Sequence, residues 1–216
     1  MAGVAAVMAV VALSVACAAP ARSNDEPTQP SDAETPTAVA DPTQASSPQR
    51  ATVVIQYEPP AFDTSSPDDG ECWIHSIATD GRDGSYRCVT SHIIYDPCFT
   101  SGTQIGFVIC PRDPRDPLED EVMRVDPSTL PVSAVSAAGG TPWFFVTVDE
   151  IVCGRFTGTL APTPFGVAPY GCRNPATGVG ATACFDPVAE GDVWSVRCYD
   201  DHAGSDFTQN VATVWY

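Results

Sequence analysis

Trp143-Phe144-Phe145-Val146-Thr147-Val148-Asp149-Glu150-Ile151-Val152-Cys153-Gly154-Arg155-Phe156 is two short apolar runs parted by two acidic residues. β-Branched and aromatic side chains dominate both runs, and neither carries the 3.6-residue period of an amphipathic helix. The same texture recurs along the body of the chain. Candidate strands are Thr52–Tyr57, His92–Tyr95, Gln104–Cys110, Glu121–Val125, Trp143–Val148, Ile151–Phe156, Val167–Cys172, Val193–Tyr199 and Val211–Tyr216. Turn-forming residues separate them at Pro59-Pro60, Asp80-Gly81, Asp83-Gly84, Gly139-Gly140 and Pro162–Pro164. Any helix is short, and is expected near Ser76–Arg87 or Pro117–Met123. These patterns specify an all-β or β-dominated domain, a sandwich or small barrel, without internal repeats.

The start of the chain sets the compartment. Val4 to Ala16 is an uncharged apolar run of signal-peptide character. Leu13-Ser14-Val15-Ala16-Cys17 is similar to a bacterial lipobox, which implies a lipid on Cys17 and a cysteine at the mature N-terminus. Ser14 stands where an aliphatic residue is usual, and no Lys or Arg precedes the run. Simple secretion and an uncleaved anchor are the alternatives, and all three export the remainder. Residues 18–50 follow as a Pro/Ser/Thr/Asp-rich linker without aromatics, expected to be a disordered tether because it has too little apolar surface to bury. Its reach is on the order of 30 Å. Residues 51–216 are long enough for one domain with its own core.

Export makes disulfides the default state of the eight remaining cysteines. They allow 105 connectivities. Proximity and the layout of the candidate strands favour Cys72–Cys88, Cys98–Cys110, Cys153–Cys172 and Cys184–Cys198. The bridges are expected to brace a core rather than replace one, each contributing about 2–4 kcal/mol.

The net charge is −17, and all ten basic residues are arginines. A phosphate backbone requires a basic surface, so nucleic acid is not an expected partner. The acidic sign also disfavours an anionic membrane face, leaving the N-terminal lipid as the expected membrane contact. Solubility explains the acidic excess without a specific cationic partner.

Cys72-Trp73, Tyr86-Arg87-Cys88 and Ile94-Tyr95-Asp96-Pro97-Cys98-Phe99 stand in the order C-W, R-C, I-x-D-P-C-F. In this the chain resembles a bacterial extracytoplasmic domain family of unknown function. Looser similarity continues through Pro142-Trp143, Cys153, Tyr170-Gly171-Cys172, Trp194-Ser195-Val196 and Val214-Trp215-Tyr216, so that most of Glu71 to Tyr216 is covered. The resemblance implies a lipoprotein, or an ectodomain behind a membrane segment, and carries neither activity nor ligand. Cys184 and Cys198 are additions to the family pattern, which supports their pairing with each other and leaves Cys153–Cys172 as the older bridge. Physically, Asp96-Pro97-Cys98-Phe99 is expected to form a turn leaving a strand, with Cys98 and Phe99 pointing into the core.

Residues that could carry chemistry are few. His75-Ser76 and Ser91-His92 are sequence neighbours only, no G-x-S-x-G elbow occurs, and no cysteine is left over as a nucleophile. No catalytic residue is assigned. The absence of a C-x-x-C and the placing of the histidines argue against zinc, and no cofactor or metal is expected. Two acidic clusters, Asp113/Asp116/Glu119/Asp120/Glu121 and Asp200/Asp201/His202/Asp206, lack an EF-hand's alternation and are expected to be solvated loops. Trp143 and Trp194 lie in strand patterns and are expected to be buried, as is Trp73 beside a bridge; Trp215 stays open between core and ring-stacking roles.

The functional expectation is a non-enzymatic, monomeric surface domain that binds an envelope or extracellular ligand. An inhibitor of an envelope hydrolase such as lysozyme is the first alternative, since an acidic surface suits a basic enzyme. A hydrolase with an unrecognised site is the second.

Overall fold

The computed structural model describes residues 50–132, 140–176 and 182–216; the signal segment with Cys17, the tether to residue 49 and Gly139 of the Gly139-Gly140 pair lie outside them. In chain order the strands are β1 (Val53–Ile55), β2 (Asp68–Asp69), β3 (Glu71–His75), β4 (Ser85–Val89), β5 (Ile94–Thr100), β6 (Phe107–Cys110), β7 (Glu121–Arg124), β8 (Phe144–Thr147), β9 (Val152–Arg155), β10 (Ala161–Thr163), β11 (Gly166–Ala168), β12 (Tyr170–Arg173), β13 (Thr182–Cys184), β14 (Val188–Glu190), β15 (Val193–Asp200) and β16 (Ser205–Trp215).

β10 and β11 pair only with each other, and the other fourteen strands form two curved sheets. β2-β7-β6-β5-β4-β3 make a half-barrel. β16-β8-β9-β12-β13-β15 close into a six-stranded barrel, with β1 beside β16 and β14 beside β15. The eleven-residue β16 effects the closure: its first half ladders to β15 and its last residues to β8, while β1 runs parallel along them. Closure removes the open edges that an exposed sheet would offer to other chains.

Alternation along the strands sorts side chains into three cores. Inside the half-barrel lie Cys72, Cys88, Cys98, Cys110, Tyr86, Tyr95, Val108 and Met123. Inside the closed barrel lie Cys153, Cys172, Cys184, Cys198, Phe145, Tyr170, Val196, Val211 and Val214. Between the sheets is a seam of rings, Tyr57, Phe99, Trp143, Phe144 and Trp215, joined by Ile109, Val146 and Val152. Neighbouring residues accordingly serve different cores: Phe145 faces the barrel interior while Phe144 and Val146 face the seam.

The eight cysteines pair as Cys72–Cys88, Cys98–Cys110, Cys153–Cys172 and Cys184–Cys198, each joining adjacent strands with Cα atoms 4.0–4.1 Å apart. Two bridges fill each barrel interior and none lies in the seam. Four bridges of this kind fit an oxidising, extracytoplasmic environment.

Several expectations are corrected. Asp96-Pro97-Cys98-Phe99 is no turn: the four residues lie within β5, because β4 and β6 pair with it on both sides. Cys98 and Phe99 are buried as expected, but on opposite faces. The helix near Ser76–Arg87 is replaced by tight turns and β4; Asp80, Gly81 and Gly84 take positive φ of 52°, 77° and 71°, which no helix continues through. Pro117–Glu119 is a single 3-10 turn capped by the Asp116 carboxylate, and β7 begins at Glu121. Trp73 is 40% exposed, since β3 is a sheet edge and the ladder is irregular between Cys72 and Ile74. Trp194 is only half-buried, edge-on to Tyr216 at 6.3 Å. Trp143 and Trp215 are buried.

Candidate functional site

Two kinds of arginine bear on the site, apart from Arg115, Arg124 and Arg197, each of which pairs with a carboxylate. The first kind staples the sheets together. Arg82 donates to the backbone carbonyls of Tyr57 at 2.6 Å and Tyr216 at 2.7 Å and lies over the Phe99 ring. Arg87 of β4 donates to the Thr157 carbonyl beyond β9 and stands 3.7 Å from the Asp96 carboxylate. Arg155 of β9 donates to the Asp80 carboxylate at 2.7 Å and to the Ala78 carbonyl. Burial works against the charged form of Asp80, yet the Thr141 N–H and Arg155 together hold its carboxyl below the ordinary value.

Asp96 anchors the same seam. Its side chain is fully buried and accepts from the Ser76 hydroxyl at 2.5 Å and from the N–H groups of Ile77 and Ala78. Burial raises its pKa against the pull of those donors. The Ser76 hydroxyl, adjacent to His75 in sequence, is thus engaged with a structural carboxylate. Ser91 and His92 are both exposed in the turn before β5.

The second kind of arginine lines a cleft. Two adjoining hollows of about 320 and 480 Å³ share Arg112, Phe144 and Gly154 in their walls. The first opens along the seam, between Ile94, Tyr95 and Pro97 of β5 and Trp143 and Arg155 of the barrel side. The second runs over the outside of β9, β12 and β13, bounded by Phe156, Arg173 and Asp201. Gly154 and Gly171 pair directly across β9 and β12 and give its floor no side chains of their own. The Phe156 ring lies over Gly171, where an added Cβ would come 2.4 Å from Cζ. Both strands are flanked on each side, so their ladder hydrogen bonds are already shared with neighbouring strands.

Three donors in this cleft stand out. Arg112 and Arg173 are exposed, and neither has a carboxylate within ion-pair distance among the described residues. The Arg112 guanidinium lies 5.9 Å from the Tyr95 ring centroid. Trp143 is 2% exposed, lines the first hollow, and its buried indole N–H has no acceptor. Buried polar groups usually find a partner, so an unused donor at a cleft wall is informative.

The acidic cluster beside the seam is not simply solvated. Asp113 is buried and bound by Arg115 at 2.5 Å. Burial opposes its charge, but the Arg115 contacts hold its carboxyl low. Asp116 and Glu119 remain exposed. Asp120 has one oxygen buried without a partner; that burial, with Asp116 and Asp113 nearby, pushes its carboxyl up to about 6. In the second cluster Asp200 accepts from the N–H groups of His202 and Ala203 to close the β15–β16 hairpin, and Asp206 pairs with Arg197. The sulfurs of Cys153, Cys172 and Cys184 lie within 4.8 Å of one another, but all three belong to bridges.

Of the residues singled out from sequence, the structure gathers the cysteines and Trp143. Arg112, Arg173 and Gly154 carry no motif, and Gly171 entered only within Tyr170-Gly171-Cys172; the signal that could have found the two arginines is their basic character in a chain of strongly acidic balance. No family model matches the chain, and no curated protein or solved structure is similar to it.

Proposed function

We propose that this protein is an exported, lipid-tethered binding domain of the cell envelope, and that the arginine-lined cleft is its ligand surface. The observation that carries the reading is the pair Arg112 and Arg173, which line one cleft, are exposed and form no ion pair among the described residues, whereas Arg82, Arg87, Arg115, Arg124, Arg155 and Arg197 are bound to carbonyls or carboxylates. Unpaired guanidinium forks beside aromatic walls suit recognition rather than architecture. The Ser76 hydroxyl is bound to Asp96, and the eight domain cysteines are all bridged. The non-enzymatic reading rests on those engagements.

Immobilised full chain should retain a component from native envelope extract, and retention should be lost in an Arg112→Gln/Arg173→Gln variant. A component retained equally by that variant would remove the cleft from the account, and retention of a basic hydrolase through another face would favour the inhibitor reading. Anchoring has its own test. Cys17→Ser should release the protein from the membrane; continued retention would mean an uncleaved helix.

A further inference from the structure

We infer that the cleft takes an acidic saccharide, a chain of sugar units bearing carboxylate or phosphate groups; this rests on the cleft being the binding surface. The sign of the ligand follows from the donors. Arg112 and Arg173 are exposed guanidinium forks in no ion pair among the described residues, Asp113 acting on Arg173 only at longer range. Guanidinium forks match carboxylate and phosphate oxygens geometrically, and such charge-assisted bonds are the strong ones.

The kind of chain follows from the floor and walls. Gly154 and Gly171 sit on strands already paired on both sides, so a peptide could not add itself as a further strand. Recognition must come from side chains. Phe156 is half-buried at the wall of the second hollow, and an aromatic at a cleft wall suits the C–H faces of sugars. Asp201 bounds the far end of the second hollow and can accept only from donors such as hydroxyls. It would repel a uniformly charged polyanion. Charge at one part of the ligand and hydroxyls at another is the signature of an acidic sugar. The two hollows adjoin, so more than one unit fits along them.

Calorimetric titration of the full chain tests this with four probes: an oligouronate, its carboxyl-reduced counterpart, a phosphate-substituted oligosaccharide, and an oligoglutamate of equal charge. Binding of the oligouronate, the phosphosaccharide or both supports the inference and identifies which anion is the source. That binding should weaken about tenfold or more in Arg112→Gln and in Arg173→Gln, and should fall with salt. Arg124→Gln, exposed on β7 away from the cleft, should bind as wild type, and unchanged melting temperatures would show all three variants folded. Equal affinity for the carboxyl-reduced sugar or for oligoglutamate would overturn the inference. Failure of every probe, while the double variant still loses retention from envelope extract, would overturn the ligand class and leave the cleft reading standing. Undiminished retention by the double variant would overturn both.

Discussion

Arg82 reaches from the turn before β4 to the carbonyls of Tyr57 and Tyr216, and its guanidinium is half-buried over Phe99. Replacing it with Ala removes the Tyr57 carbonyl's side-chain donor, leaves the Tyr216 carbonyl with only the Tyr57 N–H, and uncovers the ring. Arg82→Ala should cost about 2–4 kcal/mol, read as a lower denaturation midpoint at unchanged slope; a loss within ±0.5 kcal/mol, the range of ordinary surface changes, would show the staple to be incidental. Asp120 acts in the opposite sense. Its carboxyl is raised from an ordinary 3.8 to about 6, so the native state holds its proton more tightly than the unfolded chain. Stability from this group is therefore fully present below about pH 4 and lost as pH rises through about 6. Asp120→Asn should stabilise the protein at pH 8, on the order of 1 kcal/mol once partial exposure is discounted, and should change little at pH 3.5. A denaturation series across that range checks it; an equal gain at both ends would assign the effect to something other than titration. Arg82 did not announce itself in the sequence, because its partners lie far along the chain, and Asp120 was legible as part of an acidic cluster but not as buried.

Strands declared themselves where β-branched and aromatic residues cluster. β8 and β9 fall inside the runs Trp143–Val148 and Ile151–Phe156, and β15 matches Val193–Tyr199 to within a residue. β3, β4 and β13 were not legible as strands: Glu71–His75, Ser85–Val89 and Thr182–Cys184 mix polar, small and bridged residues, and they become strands through their ladders and disulfides. The same sulfurs made the pairing readable, because each bridge joins strands that pair directly and whose cysteines lie 12 to 19 positions apart. The cleft was hidden for a related reason. Gly154 and Gly171 become a floor only once β9 and β12 are in register. Two tests belong at this scale. Replacing Cys184 and Cys198 together with Ala should lose about 2–4 kcal/mol of stability, with the rest of the closed barrel retained; no change in denaturation midpoint would mean the bridge does not constrain the chain. Gly171→Ala should displace the Phe156 ring, since the new Cβ has no room beneath it. Ligand affinity should fall with that ring's position, and an unchanged Phe156 environment by NMR would contradict the packing.

For the molecule as a whole, the half-barrel and the closed barrel each enclose two bridges and meet across a seam of aromatic rings that holds none. Ten arginines against 27 acidic residues leave little positive charge to spare. Arg82, Arg87 and Arg155 hold the seam together, while Arg112 and Arg173 remain available along it. The four bridges tie its architecture to an oxidising, extracytoplasmic place. The most direct measurement is a thiol count on the unfolded, unreduced protein recovered from its native compartment, with peptide mapping of the linked pairs. No free sulfhydryl among the eight domain cysteines, and the four linkages Cys72–Cys88, Cys98–Cys110, Cys153–Cys172 and Cys184–Cys198, is the expected result. A native pool with reduced cysteines in these barrels would contradict the compartment, the bracing of the fold and the binding role built upon them.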